Sequence, residues 1–237
     1  MADEPRSVGG DARIRYCALL DTETTGLNPE TDKTIEVAVM LFDVKHAQPV
    51  ASFASLIKSD SNEAHAINGI PPEMLLELQD PELVWRAVRW VIGHAQIVIA
   101  HNASFDRQFV PDLGKPWVCS EEDITWPNSN KGGRGGSLAH LALSLGLGVA
   151  SANRAMADVD TLSRILTRLA EKGHDLEAML VHAMRPKAMF HSLAPFEMKD
   201  VVKNNGFRWD PDRKIWWRRM AVDDVKELPF KVRQVAS

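Results

Sequence analysis

Two acids stand one residue apart where an apolar run gives out: Ile14 to Leu20 leads into Asp21-Thr22-Glu23-Thr24-Thr25-Gly26-Leu27. In an extended strand alternate side chains share a face, so Asp21 and Glu23 point the same way, a few ångströms apart. Like charges that close repel unless a cation lies between them, and carboxylate oxygens suit a hard divalent ion such as Mg2+ or Mn2+. A solvated acidic turn is the bland alternative for a lone Asp-x-Glu. Two further aspartates weigh against it: Asp106 falls on a helix just after an apolar strand at 96–100, and Asp158 near the start of a helix at 154–171. These acids, at the ends of elements that can converge on one sheet edge and without a Cys or His ligand set, describe a two-metal site. Such a site activates a water on one ion and stabilises the leaving oxygen on the other during in-line attack at phosphorus.

The elements that must carry these acids follow from periodicity. Ile14–Leu20, Thr34–Val44 and Val50–Ile57 read as strands joined by short polar connections, hence an antiparallel meander, the second alternating Ile35, Val37, Val39, Leu41 against Glu36, Ala38, Met40, Phe42. Pro71-Pro72 starts a short helix and Pro81 a longer one running to Ala95. Gln96–Ala100 is a compact strand, followed by a helix to about Val110 that Asn102 or Ser104 can cap, and Lys115–Cys119 is a further strand. Ser137–Leu145 and Arg154–Glu171 are helical, separated by a Gly-rich basic loop, Lys131–Gly136. Strands first, then alternation with helices, predict an α/β protein with a mixed sheet covered on both faces.

Composition sets the frame. The 237 residues are 45% hydrophobic and 25% charged, as in an ordinary globular chain, and no apolar stretch reaches the roughly 18 residues that span a membrane. The polar start, residues 1–13, reads as a disordered leader without a signal-peptide core. Cys17 and Cys119, both in apolar strand settings, read as reduced core thiols, which points to the cytoplasm. The net charge of −4 is unevenly spread: residues 185–237 hold 12 Lys and Arg against 7 Asp and Glu, a surplus of positive charge that leaves the rest acidic. The reading is therefore a body at 14–184 and a small basic module at 185–237.

The motifs resemble a known family. Asp21 to Leu27, His101-Asn102-Ala103-Ser104-Phe105-Asp106 and Asp158-Val159-Asp160-Thr161-Leu162 resemble, in order and spacing, the three exonuclease motifs of the DEDD superfamily of 3′→5′ exonucleases. That group includes the proofreading epsilon subunit of bacterial replicative polymerase. Ala64-His65-Ala66-Ile67-Asn68-Gly69-Ile70 and Trp117-Val118-Cys119-Ser120 are similar to further segments of its DEDDh, exonuclease X-like branch. The resemblance covers roughly residues 14–172. It implies a ribonuclease H-like fold with a five-stranded mixed sheet flanked by helices, and two divalent metal ions, Mg2+ or Mn2+. By the same resemblance Asp21 bridges both ions, Glu23 and Asp158 hold the first and Asp106 the second. Thr24, Thr25, Gly26 and Leu27 would meet the 3′-terminal nucleotide, with Leu27 against its base and the Thr amides at its sugar hydroxyl, and His65 and Ile67 would face it too. Asn102 is either a helix cap or a substrate contact, and Phe105 either core packing or a base-stacking ring. Asp123 and Asp160 read as solvated surface charges.

One position departs from the family. The DEDDh branch carries a His five residues before its last Asp, as general base on the attacking water, and here that position is Asn153; the other branch uses a Tyr four before it, and here that is Arg154. An amide can orient a water but cannot take its proton. General-base catalysis contributes about 10²- to 10⁴-fold, so the resemblance implies a slowed enzyme. Asn153 can also serve simply as an N-cap, and His101 or His140 could stand in as base.

The last segment reads as a helix, Glu197–Asn204, and a β-hairpin turning at 211–214 between Gly206–Asp210 and Ile215–Met220. Its pattern is similar to a C-terminal extension of exonuclease X-like proteins, making a small α+β module. Trp209, Trp216 and Trp217 interleave with Arg208 and Arg218, as stacking and phosphate contacts to nucleic acid require, although so short a unit also needs aromatics as its core. Arg134 in the Gly-rich loop is a further candidate for phosphate contact. The expected function is hydrolysis at the 3′ end of DNA, with a single strand as one candidate substrate, releasing nucleoside monophosphates. The alternatives are an exoribonuclease and a catalytically inactive nucleic-acid-binding protein.

Overall fold

The computed structural model describes residues 13–78, 80–127, 136–149 and 154–235. The expectations for the leader (apart from Arg13), for Arg134 and for Asn153 lie outside the described residues. Five strands form the main sheet: β1 (Tyr16–Thr24), β2 (Thr34–Asp43), β3 (Gln48–Leu56), β4 (Ile97–Ala100) and β5 (Trp117–Cys119), in the order β3-β2-β1-β4-β5. The first three pair antiparallel, while β4 and β5 run parallel to β1. A parallel neighbour needs a crossover, and residues 57–96 supply it. They carry the short helix α1 (His65–Asn68), a 3₁₀ turn at Pro72–Leu75 and α2 (Pro81–Gly93). Pro81 opens α2 as expected, and the Asp80 side chain caps it by accepting the Glu82 N–H.

The remaining helices are α3 (Ala103–Phe109), α4 (Leu138–Ser144), α5 (Ala155–Glu171), α6 (Leu176–Ala183) and α7 (Lys199–Asn204). α5 buries Val159, Leu162, Ile165, Leu166 and Leu169, spaced as one helix face, against Cys17, Leu19, Met40, Phe42 and Ile99. α2 covers the opposite face with Val84, Val88, Val91 and Ile92 against Leu20, Val37, Val39 and Val98. Because both faces are covered, every residue of β2 is buried, so its two alternating sets fill two cores and neither faces water. On the α5 side that places one acid, Glu36, in an apolar row.

A second sheet, β7-β8-β6-β9, closes the chain: β6 (Lys187–Ser192), β7 (Arg208–Asp210), β8 (Ile215–Ala221) and β9 (Val232–Val235), all antiparallel. The β7–β8 hairpin is the expected one, its turn held by Asp210 accepting the Asp212 and Arg213 N–H groups. β6, which the sequence reading did not assign, is a central strand of this sheet. The sheet packs Phe190, Val202, Phe207 and Met220 into a small core, with Trp216 against it.

Candidate active site

β1 carries Asp21 and Glu23 past the end of β4 on the face that α5 covers, and α5 brings Asp158 from its first turn. Ligand atoms of Asp21, Glu23 and Asp158 lie within 4.8 Å of one another, so each could offer an oxygen to one metal ion. A register shift follows Glu23, after the two acids have been set on one face. At an effective dielectric near 20, two charges about 5 Å apart repel by roughly 3 kcal/mol. Three such pairs approach the roughly 5–15 kcal/mol that holds a whole domain together. Without a cation the cluster takes up protons instead. Burial, with Asp106, Asp158, Glu23 and Glu36 around it, raises the Asp21 pKa well above the usual range. Glu23 is pushed up to about 7 by burial and then by Glu36 beside it, and burial also raises Asp158. An all-oxygen donor set that strains toward neutrality fits a hard divalent ion.

Asp106 stands next to this triad and outside it. Its buried Oδ1 accepts both the backbone N–H (3.1 Å) and the hydroxyl (2.9 Å) of Thr22, the residue between the two β1 acids. Burial raises its pKa to about 7 despite those bonds, and Asp158 adds to the rise. Thr22 thus ties α3 to the strand, a positioning role that nothing in the sequence reading assigned to it.

Glu36 is the second residue the sequence left unassigned. It sits directly opposite Glu23 in the β1–β2 ladder, a pairing of like charges. Arg154 resolves it with a bidentate grip, Nε to Oε2 at 3.0 Å and Nη2 to Oε1 at 2.8 Å, while Glu36 Oε2 also accepts the Ala155 N–H that opens α5. Glu36 therefore anchors the helix that delivers Asp158. Arg154, whose pKa this pairing raises, holds the N-cap position and no base role.

The loop after β1 is clamped from two sides. Asp32 accepts the Thr25 hydroxyl (3.0 Å) and the Asn28 N–H (2.8 Å), and it approaches so closely that a Cβ on Gly26 would lie 2.5 Å from its Oδ2. A buried Asn62–Asn68 pair pins the other side: Asn68 donates to the Thr24 carbonyl at 3.2 Å, and Thr25 accepts the Ala64 N–H at 3.1 Å. These bonds leave Leu27 and Ile67 exposed, at 83% and 69%, on segments tied to each other. His65 is exposed as well. The Thr25 amide is not available to a sugar hydroxyl, since it donates to the Lys33 carbonyl at 2.9 Å.

Asn102 holds the N-cap position of α3 without a side-chain capping bond: it is exposed with φ of 72°, its carbonyl accepts the Phe105 N–H at 2.8 Å, and its side chain accepts the Ser104 hydroxyl. Phe105 is half-buried and packs on Phe109, ring centroids 4.8 Å apart. His101 Nε2 lies 2.9 Å from the Gly136 carbonyl and so carries the proton, leaving Nδ1 to accept from Ser120 Oγ at 2.9 Å. With both nitrogens engaged, and its pKa lowered by burial, His101 has no lone pair for a water's proton. In the second sheet, Arg208 pairs with Glu121 and Glu122, and Arg218 donates to the Asn205 carbonyl while packing on Gly206, so both guanidiniums have protein partners. Trp217 lies under Arg208, Trp216 is half-buried, and Trp209 is 47% exposed. A cavity of about 460 Å³ lies at the opposite end of the main sheet, near Arg15 and Lys45; Asp175 and Glu177 line it, but no group of three possible metal ligands forms there among the described residues.

Residues 19–112 match the family model described as Exonuclease, and residues 188–235 match one described as a domain of unknown function (DUF8626). The chain is 32% identical over 162 residues to the DNA polymerase III subunit epsilon of Treponema pallidum, covering 63% of this chain and 74% of that protein. It is 27% identical over 213 residues to the PolC-type DNA polymerase III of Thermotoga maritima, covering 84% of this chain but only 15% of that protein's length. Among solved structures, exonuclease X in complex with 5′ overhanging duplex DNA is similar, with a TM-score of 0.55, 25% identity and coverage of 70% of this chain and 99% of that one. Its fold is the ribonuclease H-like one that such exonucleases share. With the acidic edge, the sheet order and these relatives together, the chain belongs to the exonuclease family.

Proposed function

We propose that the chain is a metal-dependent 3′→5′ exonuclease that hydrolyses DNA from its 3′ end and releases nucleoside monophosphates, with the metal held by Asp21, Glu23 and Asp158 and with Asp106 beside them. The observation that carries this reading is the convergence of three carboxylates, two from β1 and one from the distant helix α5, with ligand atoms within 4.8 Å. Divalent metal, when bound, would lower the pKa of a water and stabilise charge at phosphorus. The protein's own part is to keep the acids converged, Asp106 through Thr22 and Asp158 through the Glu36–Arg154 anchor of α5. The clamped loop would receive the terminal nucleotide, Leu27 and Ile67 offering apolar edges to its base and sugar.

Asn153 in the general-base position makes turnover slow in this reading. The same residue favours a second reading, a protein that grips a 3′ end without cutting it. Epsilon, exonuclease X and ribonuclease T relatives span DNA and RNA substrates by name, and the DNA assignment here follows the epsilon and exonuclease X matches. A labelled single strand incubated with Mg2+ or Mn2+ separates these outcomes. A ladder shortening from the 3′ end supports the exonuclease, a gel shift without products supports the binder, and preferential trimming of ribose ends overturns the DNA assignment.

A further inference from the structure

Asp123, read from sequence as a solvated charge, is enclosed and lies away from the candidate active site: its side chain is 3% exposed. It lies in the turn that follows β5. Its Oδ2 accepts the Cys119 backbone N–H at 2.9 Å, while its Oδ1 meets Arg219 Nη1 at 2.7 Å and Lys187 Nζ at 3.2 Å. Lys187 opens β6 and is itself only 9% exposed; Arg219 lies on β8. One carboxylate thus ties two strands of the C-terminal sheet to the edge of the nuclease sheet. Beside it Arg208 of β7 reaches Glu121 at 3.4 Å and Glu122 at 3.3 Å. Part of the basic surplus that suggested nucleic-acid contact is therefore answered inside the molecule, by three consecutive acids.

The turn these acids occupy is also joined to the catalytic elements. The Ser120 N–H donates to the Ala100 carbonyl at 2.9 Å, the Ser120 hydroxyl holds His101 Nδ1, and the Ser120 carbonyl accepts the buried Trp126 Nε1–H at 2.6 Å. His101 lies two residues before α3, which carries Asp106. A buried ammonium and carboxylate persist only as partners, since either alone would carry an uncompensated charge. Docking of the C-terminal sheet and the geometry of this turn are consequently one arrangement.

We propose that the C-terminal sheet serves the reaction as a buttress, and that Asp123 is the positioning residue through which it acts, fixing the turn after β5 and with it His101 and the Asp106 helix. This rests on the exonuclease reading for its catalytic consequence and on geometry for its mechanical one.

The test uses the full chain with Asp123→Asn, Arg219→Gln, the double variant, and Arg185→Gln as control, whose guanidinium pairs with Asp224 and not with the 119–123 turn. Two measurements are made: steady-state kinetics, giving kcat and KM, on a 3′-labelled strand with Mn2+, and amide hydrogen exchange across residues 97–126 in EDTA. Asp123→Asn should lower kcat about tenfold to a hundredfold with KM held within about twofold, because small displacements of catalytic groups act on turnover. Exchange should quicken both in the turn and at 101–106. Arg219→Gln, at a side chain 43% exposed, should act in the same direction but less, and it carries the test if Asp123→Asn does not fold. The double variant should be no worse than Asp123→Asn alone, and Arg185→Gln should match the parent protein. A raised KM at unchanged kcat would mean that the sheet touches substrate instead, and would overturn the proposal, as would additive losses or unchanged exchange at 101–106. If the parent protein itself cuts no strand, the exonuclease reading fails separately, and the exchange measurement still decides whether the buttress exists.

Discussion

Two groups of acids share one edge of the same sheet and reach opposite solutions to the same electrostatic problem. At the end of β1, Asp21, Glu23 and Asp158 converge with only Arg154 near them, a cation already paired to Glu36, and their pKa values are all driven up despite its pull on Glu23. After β5, Asp123 is more enclosed, yet it meets two cations from the chain itself. The first arrangement is unstable until something outside the protein supplies positive charge; the second is complete as folded. Enclosure alone therefore does not mark a functional acid here. What separates the two is whether the fold provides the counter-charge.

The largest expected effect tests that difference by removing one acid from each group. Asp21→Asn should lower exonuclease activity by about 10³-fold, since metal-held charge stabilisation contributes several kcal/mol. The same change should make the metal-free protein more stable by about 1 kcal/mol, because it deletes repulsive pairs. Asp123→Asn should act with the opposite sign on stability, lowering it by about 3 kcal/mol in leaving the Lys187 ammonium and the Arg219 guanidinium without the negative charge that balances them. Urea titrations in EDTA check both, and a loss of stability in Asp21→Asn would remove the contrast.

Next in size is Asn153→His, expected to raise turnover about a hundredfold by restoring a proton acceptor. An unchanged rate with intact folding would show that the acids need no base, and that the departure from the family is harmless.

How far these two groups were readable from sequence differs for a physical reason. Asp21 and Glu23 were legible because strand alternation is local, Asp106 because it sits on a helix just after a compact apolar strand, and Asp158 because it lies near a helix start in an ordered series of motifs. Asp123 was not, since its partners lie 64 and 96 residues downstream and no local pattern announces them. Glu36 was half legible: a lone acid in an apolar strand is visible, but its pairing with Arg154 spans 118 residues. The main sheet followed from long runs of apolar residues, whereas β6 and β9, six and four residues with half-buried patterns, carried too little periodicity to stand out. The basic surplus at the end of the chain misled in part, because composition counts charges without saying which are already paired.

A smaller effect should appear on titration. The folded-state pKa of Glu23, about 7, lies above its ordinary 4.5, so between those values the folded protein binds more protons than the unfolded one. Stability in EDTA should then fall as pH rises through that window and level off above it. Saturating Mg2+ should flatten the slope by stabilising the charged carboxylates. Melting temperatures measured with EDTA and with Mg2+ at several pH values decide this, and parallel slopes would mean that no ion takes the place of the protons.

The smallest change expected is at Asp160, which tests convergence against mere nearness. It lies two residues after Asp158 on α5, but positions two apart on a helix do not face each other. Its side chain is 54% exposed, with Arg164 4.0 Å away. Asp160→Asn should alter stability by no more than about 0.5 kcal/mol, as exposed substitutions do, and should leave kcat within about twofold. If it instead removed activity as Asp21→Asn does, the cation would be drawn to the acidic helix end as a whole, and the argument from converging oxygens would lose its basis.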